Sequence, residues 1–275
     1  MKTFERKILP VIMRRIQRIL AQAEISAMKL GLRIFQRHSS RTSTYHGFRI
    51  DYTDNLSFYM ECKDIFFHQI YRFEAHTSTP YIIDGGGCIG MSVLYFKSIY
   101  PQARILCFEP DDKLFYLMQK NFETNHISNV ELIQAALTGS DGSAYFQADE
   151  SDQGKILPLQ DKGKMQVKTV RLSSYLTTPV DFLKLNIEGQ ELPVLQEAEA
   201  SGMLRNVREM VIEYHGWADA EQRLGDLLNL LARNGYRYLV HDFDAETCSA
   251  SKPPFRLRPA TAWFCLVYAK QVSSC

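Results

Sequence analysis

Apolar residues recur along this chain with two different periods, and the switches between them lay out its elements. Ile8, Ile12, Ile16, Ile19, Ala23, Ala27, Leu30 and Ile34 follow at three- and four-residue steps, which places them on one helical face with Pro10 in its first turn. Ser39-Ser40-Arg41-Thr42-Ser43-Thr44 reads as a linker. Helical spacing returns between Glu61 and Phe73, through Ile65, Phe66, Ile70 and Phe73. Short apolar runs then alternate with longer amphipathic ones. Strands are predicted at Tyr81–Ile83, Arg104–Phe108, Val130–Leu137, Val180–Ile187 and Val207–Tyr214, and helices from the turn after Ile83 to Tyr100, at Lys113–Asn125, Gln190–Ala200 and Ala220–Asn234. Between Ser143 and Tyr175 a two-residue alternation is broken by polar loops, and Tyr236–Val240 and Trp263–Tyr268 supply two closing strands. The fold class is therefore α/β. The expected core is a Rossmann-like, doubly wound, mostly parallel sheet of seven strands with an antiparallel edge hairpin.

Composition changes this picture little, and charge changes it more. The chain has 275 residues, 45% hydrophobic and 23% charged, as expected of a globular protein with a full core. Residues 1–41 hold ten Lys/Arg against two acids, a net +8, which leaves −7 for the rest of a chain whose total is +1. Residues 1–45 thus form a basic, amphipathic, helical extension, and 46–275 the main domain. Such a helix either packs on its own domain with a solvated basic back, or meets a partner or the anionic surface of a membrane. The acidic remainder argues against a nucleic-acid substrate. No apolar run reaches membrane-spanning length and no signal-peptide core is evident, so a cytoplasmic location is expected, and under the membrane alternative residues 1–41 would be a peripheral contact to the inner membrane face. Six scattered cysteines without a CxxC pair read as reduced thiols, and no His/Asp grouping has metal spacing.

Chemistry concentrates at the predicted C-terminal ends of the strands, where doubly wound sheets bind their ligands. Asp84-Gly85-Gly86-Gly87-Cys88-Ile89-Gly90 is a turn of small residues whose backbone can approach a ligand closely, and Glu109 ends the next strand, placed to accept from ribose hydroxyls. Gln134-Ala135, Asn186-Ile187-Glu188-Gly189 and Glu213-Tyr214-His215 end the others. By spelling, Gly85, Gly87 and Gly90 form GxGxxG, a weak discriminator between cofactors. An acid directly before the turn suits the cationic amino-acid end of S-adenosylmethionine and would repel a pyrophosphate, which disfavours a nicotinamide-dependent oxidoreductase. The closing strands agree.

Several stretches in order carry a resemblance that covers His46 to Tyr268. They are Ile65-Phe66 through Tyr71-Arg72-Phe73, Ile83 to Gly90, Phe108-Glu109-Pro110-Asp111, Ala135-Ala136-Leu137, Leu183 to Glu191, and Ile212-Glu213. The chain resembles the FkbM-type family of S-adenosylmethionine-dependent methyltransferases. The resemblance implies methyl transfer to oxygen on a saccharide, glycolipid or natural-product acceptor. It also implies a methionine-side cradle at Asp84, Gly86 and Gly90, with Gly87, Cys88 and Ala135 beside it and Glu109 as the ribose acid. Gly87 and Cys88 stand where the family has Ala and Asn, and Asn186 stands where it has Asp. These departures admit a second class, a degenerate member that binds without turnover. The candidate catalytic residues are His215, Glu188 and Asn186, with Glu213 and His241 as further possible bases. Glu188 also reads as a cap of the helix after it, and Lys184 as a snorkelling or paired residue. Acceptor pockets of this fold are expected in the loops Ser143–Lys164 and Gly216–Glu221. Neither the acceptor nor the oligomeric state is encoded legibly.

Overall fold

The computed structural model describes residues 19–147, 154–156, 165–241, 258 and 262–272. The chain divides into two units, residues 1–72 and 73–275. In the first, a helix (α1, residues 19–31) precedes an antiparallel hairpin of β1 (His38–Tyr45) and β2 (Phe48–Asp54). Residues 39–44 are therefore strand, correcting their reading as the linker that ends a helical extension. The hydroxyls responsible for that reading serve cross-strand pairs, Thr42 with Asp51 and Ser43 with Tyr52. A two-residue turn at His46-Gly47, both at positive φ, matches the strand twist. Asp54 then caps α2 (Asn55–Glu61) by accepting from the backbone N–H groups of Leu56 and Ser57. This helix loosens into a π-helical segment, Cys62–Phe67. Helix was expected as far as Phe73, but it stops where Gln69 takes a left-handed φ of 57°. Residues 1–18, with Pro10, lie outside the described residues.

The second unit is built on β3 (Tyr81–Gly85), α3 (Met91–Ile99), β4 (Arg104–Phe108), α4 (Asp112–Thr124) and β5 (Val130–Ile133). A small group of strands follows: β6 (Ala136–Thr138), β7 (Gly142–Gln147), β8 (Lys155–Ile156) and β9 (Met165–Arg171). The chain then returns to the main sheet through β10 (Phe182–Leu185), α5 (Glu191–Ala200), β11 (Glu209–Trp217), α6 (Leu224–Arg233), β12 (Tyr236–His241) and β13 (Ala262–Gln271). The seven strands of the main sheet run in the order β12-β13-β11-β10-β3-β4-β5. Strands β3, β4, β5, β10 and β11 are parallel, and β13 is antiparallel to both its neighbours. The expected doubly wound, mostly parallel sheet with an antiparallel edge is what the chain forms. Its central strands are buried on both faces, so Ile82, Ile83, Leu183, Leu185, Val211 and Ile212 have no exposed surface.

The chain leaves β3 in one direction through β4 and β5, then crosses to β10 and β11 on the other side. The switch point lies between β3 and β10. Val130–Leu137, expected as one strand, is two: Ala135 N–H donates to the Ile133 carbonyl in a tight bend, and β6 turns away to join the sheet β6-β9-β7-β8. The last helix starts at Leu224, four residues later than its amphipathic pattern suggests, because the Tyr214 hydroxyl accepts from Arg223 N–H and holds the preceding loop open. Parts of Ser143–Lys164 lie outside the described residues.

Candidate functional site

The turn after β3 is shaped by contacts of the chain with itself. Gly86 has φ +97°, and a Cβ there would stand 2.0 Å from the Asn186 carbonyl oxygen, so the loop after β10 crosses directly over it. No other residue allows that approach. Gly86 and Gly87 both donate their N–H to the Phe108 carbonyl, at 3.1 and 2.8 Å, which ties the turn to the end of β4. Gly90 begins α3 in the left-handed region (φ +96°) with the Phe122 ring against its Cα. Cys88 is also left-handed, φ +48°, and its N–H donates to Glu109 Oε2 at 2.8 Å.

Glu109 clamps this turn from the next strand. Its other oxygen accepts from Asp111 N–H at 2.8 Å, so each carboxylate oxygen holds one backbone donor and keeps a lone pair for a further one. Burial raises its pKa to about 7, opposed by the two backbone hydrogen bonds. The position agrees with its expected place beside the turn.

Asp84 was expected at the cationic end of a ligand. The structure turns it inward instead. It has no exposed surface, and Oδ1 lies 2.9 Å from Lys184 Nζ while Oδ2 accepts from the Ser92 hydroxyl. Register explains the pair: Asp84 sits opposite Lys184 across β3 and β10, so both side chains share a face of the sheet. Lys184 also donates to the Gly86 carbonyl. Burial works against the charge on Lys184, and Asp84 more than compensates, leaving its pKa raised. The ammonium is the brace under the glycine turn, neither snorkelling nor free.

A second cluster closes the crevice at the ends of β10 and β11. Glu191, the first residue of α5, accepts from Ile187 N–H and Gly189 N–H, both at 2.9 Å. Glu191 thus ties down the loop before α5, and the capping role read onto Glu188 is filled by no side chain, since Gln190 is the N-cap and makes no side-chain cap hydrogen bond. Glu188 adopts φ +52°, and its Oε1 lies 3.5 Å from His215 Nε2. Glu191 and Glu213 stand 3.8 and 3.9 Å from the same imidazole. Trp217 stacks on the ring at 5.7 Å between centroids, and Phe264 tilts against it at 5.8 Å. Burial alone would push the imidazole pKa down, but Glu188, Glu191 and Glu213 together lift it to about 10. The three carboxylates thus favour the imidazolium form of His215, in place of the titration near neutrality expected of it.

Of the other candidates, Asn186 joins the crevice: its N–H donates to the Gly85 carbonyl, and its Oδ1 is buried without a hydrogen-bond partner. The Ala135 side chain is packed into the core, so that residue offers only backbone. His241 ends β12, where β13 separates it from Glu213 in β11, and it is exposed away from the cluster. Sequence reasoning missed Ser92 and the aromatic pair Trp217 and Phe264. Only Ser92 had a usable signal, a hydroxyl two residues into the helix that faces a strand acid. Among the described residues no group of three or more His, Cys, Asp or Glu side chains is arranged to hold a metal ion.

Two curated relatives align with the chain. Methyltransferase 1 of Beauveria bassiana is 31% identical over 160 residues, 49% of this chain and 64% of the relative. Methyltransferase sdnD of Sordaria araneosa is 29% identical over 184 residues, 53% of this chain and 71% of the relative. The chain therefore spans less than two thirds of the first relative's length. Among solved structures, an FkbM methyltransferase from Methylobacillus flagellatus KT aligns with a TM-score of 0.47 and 18% identity, covering 74% of this chain and 46% of that one. The methyltransferase FkbM domain model matches residues 84–238, more than half of the chain and the whole stretch from the glycine turn to β12, and the protein belongs to that family.

Proposed function

We propose that the chain is an S-adenosylmethionine-dependent O-methyltransferase acting on a hydroxyl of a saccharide, glycolipid or natural product. One observation carries the cofactor reading. The turn at Gly86–Gly90 is held at the switch point of the sheet, and the buried Glu109 carboxylate accepts from its Cys88 N–H. Glu109 would take the ribose hydroxyls with its remaining lone pairs, and the partly buried edge of the turn at Gly86 and Cys88 would carry the amino-acid end. Asp84 supports that turn through Lys184 without meeting the ligand. When bound, S-adenosylmethionine supplies a methyl group on sulfonium, which passes to an oxygen nucleophile as the carbon–sulfur bond breaks. The net −7 of residues 42–275 supports a small-molecule or glycan acceptor over a nucleic acid.

For the proton of the acceptor hydroxyl, Glu188 is the favoured base. It sits on a strained loop at the strand ends, and the imidazolium of His215 fixes its carboxylate. His215 then acts as a positioning cation, and Asn186 as a hydrogen-bonding group beside them. Calorimetry with S-adenosylmethionine tests the first step: one site per chain is expected, weakened more than tenfold in Glu109→Gln, and a wild type that binds none overturns the reading. A second reading, cofactor binding without turnover, draws on the protonated His215 and on Asn186 in place of the family's acid. It predicts tight binding with no methylated product from any acceptor panel in the wild type, and turnover restored in Asn186→Asp.

A further inference from the structure

Helix α1 carries two apolar stripes, and the structure uses the one that the periodicity did not single out. Ile25 is buried, and Ala21, Met28 and Leu32, four residues before it and three and seven after it, are partly buried. Ile19, Ala23, Ala27, Leu30 and Ile34, the stripe visible in the sequence, face outward. Ile19 is 62% exposed, Leu20 63%, Leu30 58% and Ile34 71%, and Phe35 in the following turn is 46% exposed. A helix that packs one face on its own unit normally shows polar residues on the other. Here the outer face is a contiguous apolar strip, the kind of surface that marks an interaction site.

Charge says what covers it. Lys29 and Arg33 are exposed along one edge of the strip, Glu24 lies along the other, and the Arg41 guanidinium sits 3.7 Å over the Phe35 ring. Residues 1–41 carry a net +8. Two copies meeting through this face would set its excess of cations, Lys29, Arg33 and Arg41 against Glu24, on the same excess, since a two-fold interface apposes the same surface to itself. Anionic lipid complements both features at once, with apolar side chains below the headgroups and long cations at their level. Among the described residues no helix is long and apolar enough to cross a membrane, so the contact is one that lies in the surface. We propose that the outer face of α1, from Ile19 to Phe35, docks the protein onto an anionic lipid bilayer.

Sedimentation of the full chain with vesicles tests this. Vesicles of phosphatidylcholine with phosphatidylglycerol are expected to carry the protein down, and phosphatidylcholine alone is not. Raising salt from ~0.1 to ~0.5 M should weaken partition about tenfold or more. Leu30→Ser with Ile34→Ser should lower it at least about tenfold. Because both side chains are exposed, the thermal midpoint should hold. Arg33→Gln, which leaves the apolar strip intact, should cost about fivefold. No sedimentation with anionic vesicles, or equal partition of wild type and the double-serine variant, overturns the proposal. So does a concentration-dependent dimer that the double-serine variant abolishes, since the face would then belong to a second copy.

Discussion

Removing the ammonium of Lys184 tests whether the Asp84 pair braces the glycine turn. Lys184→Met keeps most of the side-chain volume and takes away the charge. Asp84, with no exposed surface, would then keep only the Ser92 hydroxyl as a partner. Breaking a buried pair by deleting one partner typically costs about 3–5 kcal/mol. The Gly86 carbonyl also loses its donor, for about 1 kcal/mol more.

The expected destabilisation is therefore about 4–6 kcal/mol. Urea unfolding followed by tryptophan fluorescence measures it at pH 7. Adding Asp84→Asn removes the stranded charge while keeping an acceptor for Ser92. The double variant should be more stable than Lys184→Met alone. A loss below ~1 kcal/mol, or an Asp84→Asn effect that simply adds, would refute the reasoning.

Glu109 and His215 should both make stability fall as pH rises, over different windows. Glu109 titrates near 7 in the fold against 4.5 in the unfolded chain, so the native state binds more protons between those values and loses about 3 kcal/mol across them. Glu109→Gln should flatten that slope, read as urea midpoints at pH 5 and 7.5. His215 titrates near 10 against 6.5, so its stabilisation is complete below pH 6.5 and is lost through pH 10. His215→Gln should thus destabilise by several kcal/mol at pH 6.5 and far less at pH 10, and proton NMR of the imidazole should find it charged at pH 8. Gly86→Ala, whose Cβ would stand 2.0 Å from a carbonyl oxygen, should abolish cofactor binding and soluble expression together. Cys88→Asn, at φ +48° where Asn is the better-tolerated residue, should gain up to about 1 kcal/mol in urea unfolding and leave binding unchanged.

How legible each part was follows from the range of the forces that fix it. The central strands were plain because burial on both faces writes a continuous apolar run, as in Ile82-Ile83 and Phe182-Leu183. The hairpin at His38–Asp54 was hidden because its hydroxyl-rich strand is paired through side chains as well as backbone, and the same residues spell a linker. Glu109 could be placed from local order, one strand after the turn. The Asp84–Lys184 pair could not, since 100 residues separate its members and only the register of β3 on β10 brings them together. His215 was legible as a strand-end residue, but its charge state depends on three carboxylates from a loop, a helix and a strand. On α1 the periodicity was right and the orientation reversed, because Ile25 and its neighbours formed a second stripe that the stronger pattern masked.

The two departures from the family pattern now separate by what each position contributes. Cys88 serves the site through its backbone N–H, which any residue but proline supplies, so the exchange affects the ease of the left-handed turn and leaves the Glu109 clamp intact. Asn186 differs, because its Oδ1 is buried without a hydrogen-bond partner, and an Asp there would set a further negative charge in the crevice. Around the crevice Glu109, Glu188, Glu191 and Glu213 stand against one cation, His215, while Asp84 and Lys184 neutralise each other beneath the turn. A surplus of carboxylates repels a pyrophosphate and favours a sulfonium with its ammonium group, and this surplus survives the loss of the acid at 186. The electrostatics that the proposed cofactor calls for therefore rests on residues that this chain retains.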